Sequence, residues 1–413
     1  MSEYFDKLET RDPEERERAL MAALPRQIAR AIRQAPYFAR VLSGIDPQQV
    51  NSRGSLAGLP VLRKSELKEL QRNAMPFGGL SATPAGRLAR IFVSPGPIYD
   101  PEGRGADYWR MARPLFAAGF RAGDVVQNCF SYHFTPAASM LEGGALALGC
   151  AVIPAGIGQS EMQVQAMAEL RPAGYSGTPS FLKIILEKAA ESGSDVSSVN
   201  KAVVGAEALP ASLRKWLHQH GVARVQQIYA TADLGNIAYE SEALEGLIID
   251  EEIIVEIVRP GTGDPVPEGE VGEVVVTTLN SDYPLVRFGT GDLSAVLPGA
   301  SPCGRTNMRI KGWMGRADQT TKVRGMFVLP SQVADIARRH QEVVKARLVV
   351  DNPNGQDRMT LHCEVNGTAP QGLAAAIAET IRDVTKMRGE VAFRKPGELP
   401  NDGKVIEDAK KYE

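Results

Sequence analysis

Cysteine is scarce in this sequence: Cys129, Cys150, Cys303 and Cys363 are its four, widely scattered and without a CxxC pair. That excludes a disulfide framework and closely spaced zinc thiolates, so reduced thiols are expected. His133 and His362 lie near a cysteine, and neither has metal-ligand spacing. No structural zinc is expected. Long apolar runs are also missing, since no stretch approaches the roughly 20 residues of a membrane span. An excess of charge is missing too: 47 Lys and Arg against 49 Asp and Glu leave a formal net charge of -2. Such a balance makes no global field for nucleic acid or an anionic membrane, and neither is expected as a partner. The opening "MSEYFDKLETRDPEERERAL" is densely charged and has no apolar signal core, which leads to the expectation of a cytoplasmic protein.

With 413 residues, 43% hydrophobic and 23% charged, the chain has the length of two or three domains and the balance of a globular protein. A charged amphipathic helical start is expected over 13–43, broken at Pro25 and Pro36. The middle alternates strand-like and helix-like segments. "QSEMQVQAMAEL" opens with Ser160 and Gln163 at capping-box spacing. "TPSFLKIILEKAAESG" places Thr178 at a cap, Pro179 at the first helical position and Gly193 beyond the end. "KAVVGAE" reads as a strand running into glycine. This alternation predicts an α/β core with a largely parallel sheet, in which ligands bind beyond the carboxyl ends of the strands. "VGAE" and "IYATAD" sit at such ends. Residues 247–296 are β-rich and suggest a smaller antiparallel or barrel-like subdomain. The last hundred residues read as a small α+β module: strand, turn, strand, helix, strand and a polar tail.

The stretch "IFVSPGPIYDPEG", residues 91–103, follows an apolar run and carries Ser94, Gly96 and Gly103, as a phosphate-binding loop would. Pro95, Pro97 and Pro101 remove backbone donors, and Asp100 adds a negative charge where a cation would help.

Taken in order, "VGAEALP", "IYATADLG", "GEVGEVVVTTL", "YPLVRFGTGDLS", "GRADQTTKVRGMFVLPSQV" and "LPNDGK" resemble the adenylate-forming ligases, and most closely the phenylacetate–coenzyme A ligase family. The resemblance runs from about residue 30 to the C-terminus. It implies a large N-terminal α/β domain with a β-rich subdomain, residues 1–316, and a small mobile α+β domain, residues 317–413. It also implies an AMP-forming reaction: ATP and Mg2+ convert a carboxylic acid to an acyl-adenylate, and coenzyme A displaces AMP. An aromatic or arylacetic acid and a homodimer are implied in the same way.

Residue by residue, Asp292 matches the ribose-binding aspartate, whose carboxylate can accept from both ribose hydroxyls. Lys404 matches the C-terminal catalytic lysine, a cation suited to charge developing on the carboxylate and α-phosphate. Gly205, Ala206 and Glu207 match the adenine-binding "GAE", while Tyr229 and Ala230 match the tyrosine and its neighbour beside adenine. Asp233 stands where the family has the glutamate that helps hold magnesium, and Ala232 replaces a hydroxyl residue. Arg316 and the hinge Asp318 fall in the interdomain linker, and Arg324 would face coenzyme A or phosphate. "FSYHFTPA" corresponds to the acid pocket, with Tyr132 and Phe134, joined by Pro179.

The loop at 91–103 takes the place of the family's "RIHASSGTTGKPT". Ser94, Gly96 and Pro101 persist, whereas Pro97, Ile98, Tyr99 and Asp100 replace the threonines, a glycine and the lysine. A carboxylate there is expected to repel a polyphosphate. Two readings stay open: a ligase with an atypical loop, or a degenerate member that binds nucleotide, acid or acyl–coenzyme A without ATP-dependent activation.

Overall fold

The computed structural model describes residues 3–259, 261–314, 316–317, 321–324, 326–328, 330–353, 356–400 and 404–411. Contacts between Cα atoms separate the chain into two compact units, Met1–Trp313 and Met314–Glu413.

The first unit is built on a sheet of nine strands among the described residues. Five of them, in the spatial order Arg224–Thr231, Lys201–Val204, Gly174–Gly177, Val125–Asn128 and Ala151–Ile153, are parallel. The helices Ala137–Leu148, Ser160–Leu170, Pro179–Ser192 and Ala211–Gln219 alternate with them in sequence. The sheet continues from Arg224–Thr231 through antiparallel strands Gly235–Tyr239, Leu247–Ile249, Arg309–Ile310 and Val296–Leu297. A second sheet has the order Leu62–Arg63, Phe288–Ser294, Gly272–Thr278, Ile253–Val258. The expected β-rich segment is therefore shared between two sheets. Leu247–Ile249 joins the large one, and the second recruits Leu62–Arg63, in parallel, from far upstream.

The central strands are buried on both faces, as in Ala202, Val203 and Val204. Helix Pro179–Ser192 has the anticipated ends: Thr178 Oγ1 accepts the Phe181 N–H at 3.4 Å, and Gly193 closes it at φ 66°.

Two local expectations fail. The first helix runs unbroken over Pro13–Gln34 with Pro25 inside it. Proline at a helix interior costs about 3 kcal/mol. Leu20, Met21, Leu24, Ile28 and Ala31 are buried along one stripe, and burying each large apolar side chain stabilises by about 1.5–3 kcal/mol. Packing outweighs the break. Ser160 and Gln163 form no capping box: Gln159 is the cap residue and makes no side-chain bond. The Gln163 amide instead donates to the carbonyls of Ala155 and Gly156 and accepts from Gln127 Nε2 at 2.6 Å. A buried amide with three such partners is committed to the core.

The second unit has a four-stranded sheet among the described residues, ordered Glu390–Arg394, Arg358–Val365, Val343–Asp351, Ile406–Asp408. Helix Leu373–Thr385 buries Leu373, Ile377 and Ile381, a stripe at four-residue spacing, in the core of this unit. The expected polar tail is partly a strand, because Ile406–Asp408 pairs in parallel with Val343–Asp351.

Candidate active site

The loop at 91–103 is a β-hairpin. Arg90–Ser94 pairs antiparallel with Ile98–Glu102, and Pro95, Gly96 and Pro97 form its exposed turn. The side-chain amide of Gln71 replaces a neighbouring strand: its Nε2 donates to Tyr99 O at 2.9 Å, and its Oε1 accepts from Tyr99 N at 2.8 Å. Ser94 Oγ lies on its own hairpin, 3.5 Å from Ile98 O.

Alternation along this hairpin puts Asp100 on the inner face, where it is 0% exposed. Neither carboxylate oxygen has a hydrogen-bond partner. Burial, and then the charge of Asp233, hold its pKa well above the usual carboxylate range, against the opposing influence of Ser94 and Lys64. The expected carboxylate facing a polyphosphate is thus not present: Asp100 points inward, and its burial favours the protonated form. In the folded state it binds that proton more tightly than in the unfolded chain. Its contribution to stability is complete below about pH 4, the unfolded carboxylate value, and is lost as pH rises towards the raised folded value. Asp100→Asn removes the titration. The variant is expected to match the parent below pH 4 and to melt several degrees higher than it at pH 8. Parallel melting curves across that range would show instead that Asp100 titrates alike in both states.

Asp233 lies in the turn between Arg224–Thr231 and Gly235–Tyr239. Arg110 fixes that turn, donating from Nη2 to Leu234 O at 2.5 Å and Asn236 O at 3.0 Å. Gly235, at φ 72°, is required there because a Cβ would come within 2.8 Å of Trp109 O. Asp233 Oδ2 accepts from Lys64 Nζ at 2.6 Å, whereas Oδ1 is buried without a partner. Burial works against the Lys64 ammonium, but Asp233, Asp100 and Asp292 outweigh it and raise its pKa above the ordinary lysine value. Tyr283, 2% exposed and with an unpartnered hydroxyl, is raised well above its usual range by burial and by the same two acids, Asp233 and Asp100.

Asp292 is carried by Phe288–Ser294, the strand beside Leu62–Arg63. Its Oδ2 accepts from Tyr229 OH at 2.9 Å and its Oδ1 from Trp313 Nε1 at 3.1 Å. Tyr229 also reaches Thr290 Oγ1 at 3.3 Å, so the two sheets are joined by hydroxyls at this point. Gly205 and Ala206 follow the strand Lys201–Val204. Ala206 has φ 65°, a strained left-handed conformation for a residue with a side chain. Glu207 Oε1 accepts the Ser180 N–H at 2.6 Å, tying this loop to the start of helix Pro179–Ser192, where a carboxylate suits the helix dipole. Pro179 is buried at that helix start.

Tyr132 is set by Asn128, whose Nδ2 donates to its hydroxyl at 2.9 Å, while that hydroxyl donates to Glu142 Oε2 at 2.7 Å. Burial and Glu142 raise its pKa. Phe134 is 63% exposed at φ 61°, and its carbonyl accepts from Val93 N at 2.9 Å. The acid-pocket segment and the hairpin therefore share a backbone hydrogen bond.

In the second unit, Lys404 is exposed, two residues before the strand Ile406–Asp408. Upstream of it, Lys345 Nζ holds Leu399 O and Pro400 O, and Glu364 Oε1 accepts from Leu399 N at 2.7 Å. The described residues on either side, up to Pro400 and from Ile406, are thus each anchored. Arg324, at φ 47°, donates from its backbone N–H to Asp357 Oδ2 at 2.7 Å. Arg316 is partly buried, and Asp318 lies outside the described residues.

Sequence reasoning missed Lys64 and Trp313. Neither sits in a motif, and each is identified by its reach to Asp233 or Asp292. Among the described residues no group of three or more His, Cys, Asp and Glu side chains is placed to hold a metal ion, and no helix is long and apolar enough to cross a membrane.

The AMP-binding enzyme family matches residues 106–280. The phenylacetate–coenzyme A ligase of Thermus thermophilus is 33% identical over 88% of this chain and 84% of its own. The protein of the same name from Escherichia coli K12 is 30% identical over 83% of this chain and 79% of its own. Among solved structures, 2-hydroxyisobutyryl-CoA ligase with 2-HIB-AMP and CoA has a TM-score of 0.77 at 23% identity, covering 98% of this chain and 92% of that one. The amide bond synthetase McbA from Marinactinospora thermotolerans has a TM-score of 0.53 at 18% identity, covering 95% and 92%. These two likenesses are of fold.

Proposed function

The chain belongs to the phenylacetate–coenzyme A ligase family of adenylate-forming enzymes, and we propose that the site around Asp292 binds ATP, activates a carboxylic acid as its adenylate and passes the acyl group to coenzyme A. The observation that carries this reading is the Asp292 carboxylate, held by Tyr229 and Trp313. It lies in the same unit as the strained loop of Gly205 and Ala206. Fixed acceptors of this kind suit a ribose diol.

In the reaction, the acid's oxygen attacks the α-phosphorus, the bond to the β-phosphate oxygen breaks, and pyrophosphate leaves. The thiol of coenzyme A then attacks the acyl carbon and AMP departs. Asp292 would orient the ribose, the loop at Gly205, Ala206 and Glu207 would border the adenine with Tyr229 and Ala230, and Lys404 would stabilise charge on the carboxylate and α-phosphate. Arg316 and Asp318 would serve the movement between half-reactions, and Arg324 would meet coenzyme A or phosphate. Tyr132, Phe134 and Pro179 would line a pocket for an aromatic or arylacetic acid. Asp233 Oδ1, buried and unpartnered, is an oxygen donor suited to Mg2+. When bound, Mg2+ supplies charge neutralisation to the phosphates. A homodimer and a cytoplasmic location belong to the same proposal, on family membership.

The test is pyrophosphate release from ATP and Mg2+ across aromatic and aliphatic acids. Release stimulated by particular acids is the expected result and names the substrate class. No release with any acid, alongside calorimetric binding of AMP or acyl–coenzyme A, would favour the degenerate binder, a reading that the proline-rich hairpin keeps in play.

A further inference from the structure

We infer that Lys64 is the cation that grips a polyphosphate at this site, in place of the lysine that the hairpin at 91–103 does not have; this rests on the nucleotide-binding reading above. The hairpin's one basic residue, Arg90, is at its far end and is spent on Glu102, 2.6 Å away. Lys64 comes from elsewhere in the chain. The strand Leu62–Arg63 runs parallel to Phe288–Ser294 in the register Leu62 with Phe288 and Arg63 with Gly289. Lys64 therefore leaves the sheet level with Thr290 and heading the same way as Asp292.

Its ammonium meets Asp233 at 2.6 Å, and the charges of Asp100 and Asp292 also act on it. Three acids from three separate elements thus converge on one lysine. Their exposures differ in a way that matters. The Asp233 side chain is 0% exposed and the Lys64 side chain 26% exposed, while Asp100 is 0% exposed. The acids are closed off and the lysine side chain is partly open, so of these groups it is the lysine that an incoming anion can reach.

Among the described residues, Lys64 has one hydrogen bond, to Asp233 Oδ2. An ammonium has three donors, which leaves two for phosphate oxygens. Lysine is a flexible point charge, and as such a common phosphate binder. A lysine that served only to neutralise Asp233 would not need to open to solvent. The hairpin has thus changed part: its acid is turned inward, and the positive charge is delivered through the second sheet.

The experiment is calorimetric titration with inorganic pyrophosphate in Mg2+, and separately with AMP. Lys64→Ala is expected to weaken pyrophosphate binding by about tenfold or more, the usual effect of a lost charged hydrogen bond, with little change for AMP. Lys64→Arg, which keeps the charge, should bind pyrophosphate nearly as well as the parent. Because Lys64→Ala strands a buried Asp233 carboxylate, Lys64→Gln is also compared in an Asp233→Asn background, where the same further loss is expected. Pyrophosphate affinity indifferent to Lys64, or pyrophosphate and AMP weakened equally, would overturn the inference. The titration needs no acid substrate. A Lys64-dependent site without acid-stimulated release would leave this inference standing and sink the ligase reading; release with no Lys64 dependence of binding would do the reverse.

Discussion

Lys404→Ala is expected to lower acid-dependent pyrophosphate release by about 10²–10³-fold, the range for removing one preorganised donor from a transition state. The cation would act when negative charge crowds between the acid's carboxylate and the α-phosphate. It is needed least in the ground state, so AMP affinity should change little. Transfer from a supplied acyl-adenylate to coenzyme A should also persist, because that step does not build charge at the same place. The structure gives a reason to expect a clean effect. Lys404 is exposed, and the segments before and after it are anchored independently by Lys345, Glu364 and the pairing of Ile406–Asp408. Truncating it should leave the second unit folded. A variant that loses both half-reactions equally would mean that Lys404 is not specific to adenylation.

Asp292→Ala should weaken AMP by a comparable or larger factor. Each hydrogen bond to a charged group is worth about 1.5–3 kcal/mol, so losing two corresponds to roughly 10²–10⁴ in affinity. A bare loss would not separate ribose recognition from damage to the junction that Tyr229 and Trp313 make with this carboxylate. The comparison with 2′,3′-dideoxy-AMP does. The parent should discriminate strongly between AMP and the dideoxy analogue, and Asp292→Ala should bind the two alike. A variant that still prefers AMP would place the ribose elsewhere. Trp313 offers an optical companion to this test: its indole N–H sits on Asp292 Oδ1 and the residue is 48% exposed. Nucleotide binding is expected to change its fluorescence, and a Trp313→Phe control should remove that change.

Much of this protein was legible in its residues. The alternating apolar runs and capped helices announced a parallel sheet, because strands buried on both faces and amphipathic helices leave different periodicities. The ends of helix Pro179–Ser192 were readable from Thr178, Pro179 and Gly193, since caps depend on local chemistry. The motifs around Gly205, Tyr229, Asp292 and Lys404 carried the family, because each is a short contiguous segment. What local chemistry could not contain was decided by packing. The first helix passes through Pro25 because its buried stripe outweighs the missing bond. Gln163 serves a core network in place of a cap. Leu62–Arg63 completes a sheet more than two hundred residues downstream in sequence. The clearest case is the hairpin at 91–103. Its sequence reads as a phosphate loop with its cation replaced by an acid, and in a linear chain that acid would face whatever binds there. The pleat of the strand turns Asp100 inward, burial raises its pKa, and a partly exposed lysine from another sheet meets the neighbouring Asp233. Alternation along a strand can be read from a sequence, but which face becomes the inside depends on what packs against it.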